Sequence, residues 1–182
     1  MHFFKNKQIW MKVHVYLSLF FLPVALLYAL TGALYLFDIR EEAGANITEF
    51  RVESIEKGRE KETILHELVT RNIRIPDNTN IKNMRGNLSM GSIAYSITLM
   101  KDKEGYKIRV VNRSLYGILL LMHKGKGKFY FDIIAVGFAL SLAIFYLSGL
   151  VMTSFCKKKR KNALITFCLG LVITIFMIYL SI

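Results

Sequence analysis

The chain has 182 residues, of which 53% are hydrophobic, with a mean hydropathy of +0.37 and a formal net charge of +12. An ordinary soluble domain is excluded, because the apolar residues are concentrated in three windows, and a helix of roughly 20 apolar residues crosses a hydrocarbon core. The positive charge flanks those windows, so we expect a lipid bilayer and no nucleic acid as a partner.

The first predicted elements are a basic cytoplasmic segment at residues 1–12 and a transmembrane helix at residues 13–38. The apolar run of this helix is longer than the roughly 7–15 residues of a secretory signal, and no small-residue cleavage site follows it. We therefore expect the helix to be retained in the membrane.

A small α+β domain outside the membrane is predicted at residues 39–122. A short strand is predicted at Phe50–Ile55, and an amphipathic helix at Gly58–Ile73, which Pro76 ends. The apolar face of that helix comprises Ile64, Leu65, Leu68, Val69 and Ile73.

Alternating apolar residues then predict a β-hairpin. The segments SIAYSITLM and YKIRVVN are its strands, and KDKEG is its loop. A further strand is predicted in NIKNM. Leu115–Met122 is too short for a span and is compatible with an interfacial helix or a final strand, and it leads to His123 at the outer membrane surface.

The second transmembrane helix is predicted at residues 128–155, a basic cytoplasmic loop at 156–163 and a third transmembrane helix at 164–182. The run Lys157–Lys161 belongs in the cytoplasm by the positive-inside rule, which places the N-terminus inside and the α+β domain outside. The fold class is an α-helical membrane protein with three transmembrane helices and a small extracytoplasmic α+β domain between the first and the second. Three lysines oppose this orientation: Lys124, Lys126 and Lys128.

Two of the four histidines, His14 and His123, are expected at opposite membrane interfaces. Each is predicted at the depth of a hydroxyl–glycine pair on the other helix, Ser148–Gly149 for His14 and Thr31–Gly32 for His123. Small residues on one face of the first helix permit close helix packing or leave room for a flat macrocycle. They are Ser18, Ala25, Ala29 and Gly32.

Polar side chains at membrane depth are typically functional, although an interfacial imidazole can also snorkel to the headgroups. Neutral imidazole is the usual axial ligand of haem b, and a second imidazole completes a six-coordinate electron-transfer centre. We therefore predict haem b as cofactor and His14 and His123 as axial ligands of its iron, with Ser18, Gly32 and Gly149 as further cofactor-binding residues. No catalytic residue is assigned, since no nucleophilic dyad, zinc set or dinucleotide fingerprint is evident. Three tyrosines are interpreted as interfacial aromatics, or alternatively as donors to haem propionates: Tyr16, Tyr28 and Tyr35.

Two segments resemble the signatures of the PepSY-associated transmembrane (PepSY-TM) family. The first is KVHVYLSLFFLPVALLYALTGALYLF, which begins with a histidine and ends in a threonine–glycine pair and an apolar tail. The second is LLLMHKGKGKFYFDIIAVGFALSLAIFYLSGLVM, which has a histidine, a glycine-rich step and a span ending in serine–glycine. The segment between them is similar to a PepSY domain, so the resemblance covers about residues 8–153.

The resemblance implies a bacterial inner-membrane protein of the ferric- or siderophore-reductase-like branch, with the PepSY-like domain at residues 39–122 in the periplasm. It implies an enzyme that passes electrons from a cytoplasmic or quinol donor through haem b to ferric iron or a ferric chelate. His14 and His123 match the two signature histidines. The alternative is a non-catalytic membrane protein whose PepSY-like domain binds or regulates an extracytoplasmic partner.

A rise of 1.5 Å per residue over about 20 helical residues would separate His14 and His123 by roughly 30 Å, which is too far for both to ligate one iron. We therefore predict a homodimer, in which a two-fold axis brings His14 near its copy, or His123 near its copy, or places a haem between each histidine and a groove on the other subunit. Five-coordinate haem in a monomer, or Met122 as the second ligand, are the alternatives.

Overall fold

The computed structural model describes residues 7–52, 54–55, 58–84, 86–102, 105–127, 129–155 and 160–182. The predicted basic residues Lys128 and Lys157–Lys159 lie outside these ranges. Within them the chain alternates long helices with a small sheet domain. The elements are α1 Lys7–Leu36, β1 Asn46–Val52, α2 Glu60–Thr70, β2 Lys82–Met84, β3 Asn87–Gly91, β4 Tyr95–Asp102, β5 Gly105–Asn112, α3 Leu115–His123, α4 Phe129–Phe155 and α5 Arg160–Ser181.

Three of these helices are long and apolar enough to cross a membrane, over Gln8–Leu36, Phe129–Leu150 and Lys161–Ser181. The side chains described on α5 are all exposed apart from Ala163. A helix satisfies its own backbone groups, so such an apolar surface is compatible with hydrocarbon surroundings. The three helices, with a sheet domain between the first and the second, agree with the predicted fold class.

The chain divides into two compact units, one formed by Met1–Ala25 with Ile134–Ile182 and the other by Leu26–Ile133. In the first unit α1 contacts α4 through aromatic side chains, with the ring centroids of Phe21 and Phe138 6.0 Å apart. Gly137 permits this approach, because a Cβ built there would already lie 3.4 Å from Cζ of Phe21.

The second unit contains an antiparallel five-stranded sheet in the order β1-β5-β4-β3-β2. The predicted hairpin is confirmed as β4 and β5, in which Leu99 lies opposite Ile108. Both side chains are buried and pack with Ile64 and Leu68 of α2. Because alternate residues of a strand point to the same side of a sheet, these contacts place the core between α2 and one face of the sheet.

The helix predicted at Gly58–Ile73 is shorter in the structure, and Pro76 is not what ends it. The helix α2 ends at Thr70, and Asn72 has a left-handed φ of 54°. The backbone N–H of Ile73 donates to the carbonyl of Leu68 at 2.8 Å, and that of Asn72 donates to the carbonyl of Val69 at 3.0 Å. This is the Schellman pattern, which ends a helix without a proline.

Other predicted details also change. Val69, predicted on the buried face of α2, is 64% exposed. The strand predicted at Phe50–Ile55 lies earlier, as β1, and NIKNM contributes β2. The strand β3 was not predicted at all. Leu115–Met122, for which the sequence allowed an interfacial helix or a strand, forms the helix α3, and His123 is the last residue of that helix.

Candidate functional site

His14 lies on α1 and contacts three residues of α4. Its Nδ1 is 2.9 Å from Oγ of the buried Ser148. Its ring stacks on Phe145, with centroids 4.1 Å apart and an angle of 21° between the planes. Gly149 lies beside the ring, since a Cβ built there would be 3.9 Å from Cε1 of His14.

His123 has an equivalent set of neighbours on α1. Its Nδ1 is 2.7 Å from Oγ1 of the buried Thr31. Its ring lies against Tyr28, with centroids 4.1 Å apart and an angle of 30° between the planes. A Cβ built on Gly32 would be 3.7 Å from Cε1 of His123.

The two sets of neighbours share one sequence pattern, an aromatic residue followed by a hydroxyl residue at the third position and a glycine at the fourth. Positions three and four residues apart lie on one face of a helix, so all three groups reach the same imidazole. The sequence placed each histidine beside its hydroxyl–glycine pair, and these contacts confirm that pairing. The contact of an aromatic ring with each imidazole was not predicted, although Tyr28 and Phe145 stand at matching positions in YALTG and FYLSG.

The segment between α1 and β1 holds α3, and therefore His123, in place. Ser114 caps α3 by accepting the N–H of Gly117 at 3.2 Å, and its hydroxyl donates to the carbonyl of Ala43 at 2.6 Å. The hydroxyl of Tyr116 donates to the carbonyl of Ile39 at 2.7 Å. These bonds are possible because α3 carries glycine at position 117, where a Cβ would collide with the carbonyl oxygen of Glu41.

Lys124 follows His123 and is engaged in local contacts. Its Nζ lies 2.9 Å from a carboxylate oxygen of Glu41 and 4.4 Å from the ring centroid of Tyr35. The hydrogen bond from Lys124 lowers the pKa of Glu41 below its ordinary value. Burial, together with the charge of Lys124, lowers the pKa of His123. Both effects on His123 favour the neutral imidazole, which is the form that binds metals.

Of the predicted cofactor-binding residues, the structure brings His14 together with Gly149, and His123 together with Gly32. Ser18 does not join either group in the described contacts, and its hydroxyl donates to the carbonyl of Val15 at 2.9 Å. In the part of the chain that the structure describes, no group of three or more His, Cys, Asp or Glu side chains could hold a bare metal ion.

The fold and these contacts define a membrane protein in which a small antiparallel sheet domain lies between the first and second of three apolar helices. Residues 61–182 match the model of the PepSY_TM-like family. The chain belongs to this family, as its sequence motifs predicted. No curated protein and no solved structure matches the chain.

Proposed function

We propose that the protein is a haem b-binding electron-transfer protein of the bacterial inner membrane, which reduces ferric iron or a ferric chelate at the periplasmic face. The observation that carries this proposal is the same at both histidines: Nδ1 is hydrogen-bonded to a hydroxyl, while Nε2 has no hydrogen-bond partner among the described residues. An imidazole nitrogen of this kind is available to a metal.

The donor set agrees with haem better than with a bare ion. The porphyrin supplies four nitrogens, so the protein needs to add only one or two axial ligands, and imidazole is the usual one. In each site a glycine leaves the Cε1 edge of the ring without a side chain, next to Nε2. In each site an aromatic ring covers one face of the imidazole and limits its rotation. These residues fit the group.

When bound, haem b would supply a one-electron carrier. His14 and His123 would hold the iron through Nε2, and Ser148 and Thr31 would orient the two rings. A cytoplasmic or quinol donor supplies the electron, and the ferric acceptor is external. Since each site has one described imidazole, we include in the proposal a homodimer in which a second copy supplies the other axial ligand.

The test is the absorption spectrum of the full-length protein purified in detergent from haem-replete cells. We expect a Soret band and a pyridine haemochrome spectrum of haem b, and ferric-reducing activity with a chemical reductant as donor. The variants His14→Ala and His123→Ala should each lose haem or activity. His66→Ala is the matched control, because His66 is exposed on α2. A colourless wild-type protein would overturn the proposal.

The second candidate function is a non-catalytic membrane protein whose sheet domain binds or regulates an extracytoplasmic partner. It is favoured by the hydrogen bond between His14 and Ser148, since such a bond between membrane helices stabilises packing by about 0.6 kcal/mol even without a cofactor. Full folding and full abundance of a colourless protein would support this candidate.

A further inference from the structure

The hydroxyl groups of Thr31 and Ser148 each lie at hydrogen-bond distance from a main-chain carbonyl and from an imidazole nitrogen, and Oγ1 of Thr31 also lies 3.4 Å from the carbonyl oxygen of Tyr28. Oγ1 of Thr31 lies 2.6 Å from the carbonyl oxygen of Leu27 and 2.7 Å from Nδ1 of His123. Oγ of Ser148 lies 2.8 Å from the carbonyl oxygen of Phe145 and 2.9 Å from Nδ1 of His14. A hydroxyl group has one proton, so it cannot donate to both the carbonyl oxygen and the imidazole nitrogen.

The carbonyl oxygen determines where that proton lies. Two oxygens about 2.6–2.8 Å apart are at the distance of an O–H···O hydrogen bond, and a carbonyl oxygen has no proton to donate. The hydroxyl must therefore be the donor to the carbonyl, and its lone pairs face the imidazole. The remaining hydrogen bond forms only if Nδ1 carries a proton and donates it to the hydroxyl oxygen.

We propose that Thr31 and Ser148 are positioning residues that hold His123 and His14 in the Nδ1–H tautomer, with the lone pair of each neutral ring on Nε2. Free histidine in water favours the opposite tautomer, so this preference is a property of the two sites. The same arrangement of hydroxyl, carbonyl and imidazole occurs in both, on different helices.

The role of this tautomer in binding haem rests on the proposed function, because the Nδ1–H tautomer leaves the lone pair of Nε2 free for a haem iron. The group that accepts the other ring N–H of a metal-bound histidine fixes the tautomer and makes the imidazole a stronger donor. Loss of such a group typically lowers metal affinity by about 10–100-fold. The tautomer itself exists without haem and can be measured without it.

The experiment is nitrogen-15 NMR of the haem-free, full-length protein, labelled on histidine, in lipid nanodiscs. A pH of about 8 keeps histidines of ordinary pKa, about 6.5, neutral. We expect His14 and His123 to show a protonated Nδ1 and a bare Nε2, whereas the exposed His66 should show the ordinary mixture. The variants His14→Gln and His123→Gln assign the signals.

Substitution of each hydroxyl then tests its role. Thr31→Val should shift His123 toward the Nε2–H tautomer and leave His14 unchanged, and Ser148→Ala should do the reverse. Thr31→Ser should restore the wild-type signal. Ser141→Ala is the matched control, because Ser141 is buried on α4 and donates to the carbonyl of Phe138 at 2.8 Å, yet contacts no described histidine.

The Nε2–H tautomer at both histidines of the wild-type protein would overturn the proposal. So would an unchanged His123 signal in a Thr31→Val protein whose far-ultraviolet circular dichroism is that of the wild type. In the haem-loaded protein, Thr31→Val should weaken haem binding at the His123 site by about 10–100-fold, and unchanged affinity would refute the positioning role. If the protein binds no haem but shows the Nδ1–H tautomer, the proposed function fails while the tautomer assignment stands.

Discussion

At the scale of single residues, Gly32 and Gly149 lie beside Cε1, the ring carbon between Nδ1 and Nε2. A Cβ at either position would be at ordinary van der Waals distance from the ring, 3.7 Å at Gly32 and 3.9 Å at Gly149. Alanine therefore fits without displacement of the imidazole. A longer side chain would extend along the ring edge and occupy the approach to Nε2.

We therefore expect Gly32→Ala to retain haem at His123 and Gly32→Leu to lower it by about tenfold, as for the loss of a group that orients a ligand. The measurement is the haem-to-protein ratio in a His14→Ala background, so that only the His123 site is counted. Ala33→Leu adds the same side chain at an exposed neighbouring position and should have no effect. Wild-type haem content in Gly32→Leu would contradict the assignment of Nε2 as the open nitrogen.

The pairing of each histidine with its hydroxyl and glycine was predictable from sequence, because residues at the same depth of antiparallel helices become neighbours. The inclusion of Ser18 followed from its position four residues after His14, on the same helix face. A hydroxyl on a helix can instead bond to a carbonyl of its own preceding turn, and Ser18 does so. Spacing does not distinguish these outcomes, since Thr31 and Ser148 form the same local bond and also contact an imidazole.

At the scale of elements, the alternation of apolar residues was sufficient for β4 and β5, because one face of both strands is buried under α2. The strand β3 was missed because NLSMG has only two apolar residues, Leu88 and Met90, and their alternation is too short to predict a strand. Its position between β4 and β2 comes from backbone pairing on both sides, as in the register of Leu88 opposite Leu99. Such pairing depends on the neighbouring strands, so the sequence of a short segment alone does not reveal it.

The end of α2 shows a second limit of sequence patterns. Pro76 is the stronger helix-breaking signal, but the chain leaves the helix earlier, at Asn72. Asparagine tolerates a left-handed φ better than most residues, and the Schellman bonds satisfy carbonyls that would otherwise lack partners. The packing of Ile73 against the core then continues beyond the helix. The buried face was therefore predicted partly correctly, with Ile64 and Leu68 buried and Val69 exposed.

At the scale of the whole molecule, the orientation in the membrane is the first prediction. The basic residues near 157–161 predict that the loop between α4 and α5 lies in the cytoplasm and the sheet domain outside. A reporter that is active only in the cytoplasm should be active when inserted within Lys157–Lys161 and silent when fused after Ile182. The same reporter fused before Lys12 is the positive control. The reverse pattern would overturn the predicted orientation and with it the proposal that ferric iron is reduced at the periplasmic face.

The second prediction at this scale is the homodimer. Each site presents one Nε2, and the described residues add no second imidazole to either, whereas a six-coordinate haem needs two axial ligands. A two-fold axis along the membrane normal would bring a second copy to the same depth and complete the ligand set. We expect native mass spectrometry of the haem-loaded protein to show two polypeptides with haem. The double variant His14→Ala/His123→Ala should carry no haem. The absorption spectrum of the wild-type protein should be that of low-spin haem. A haem-bound monomer of 21.0 kDa polypeptide would overturn the prediction of a dimer. The remaining alternatives would then be five-coordinate haem, which is high-spin, or Met122 as the second ligand.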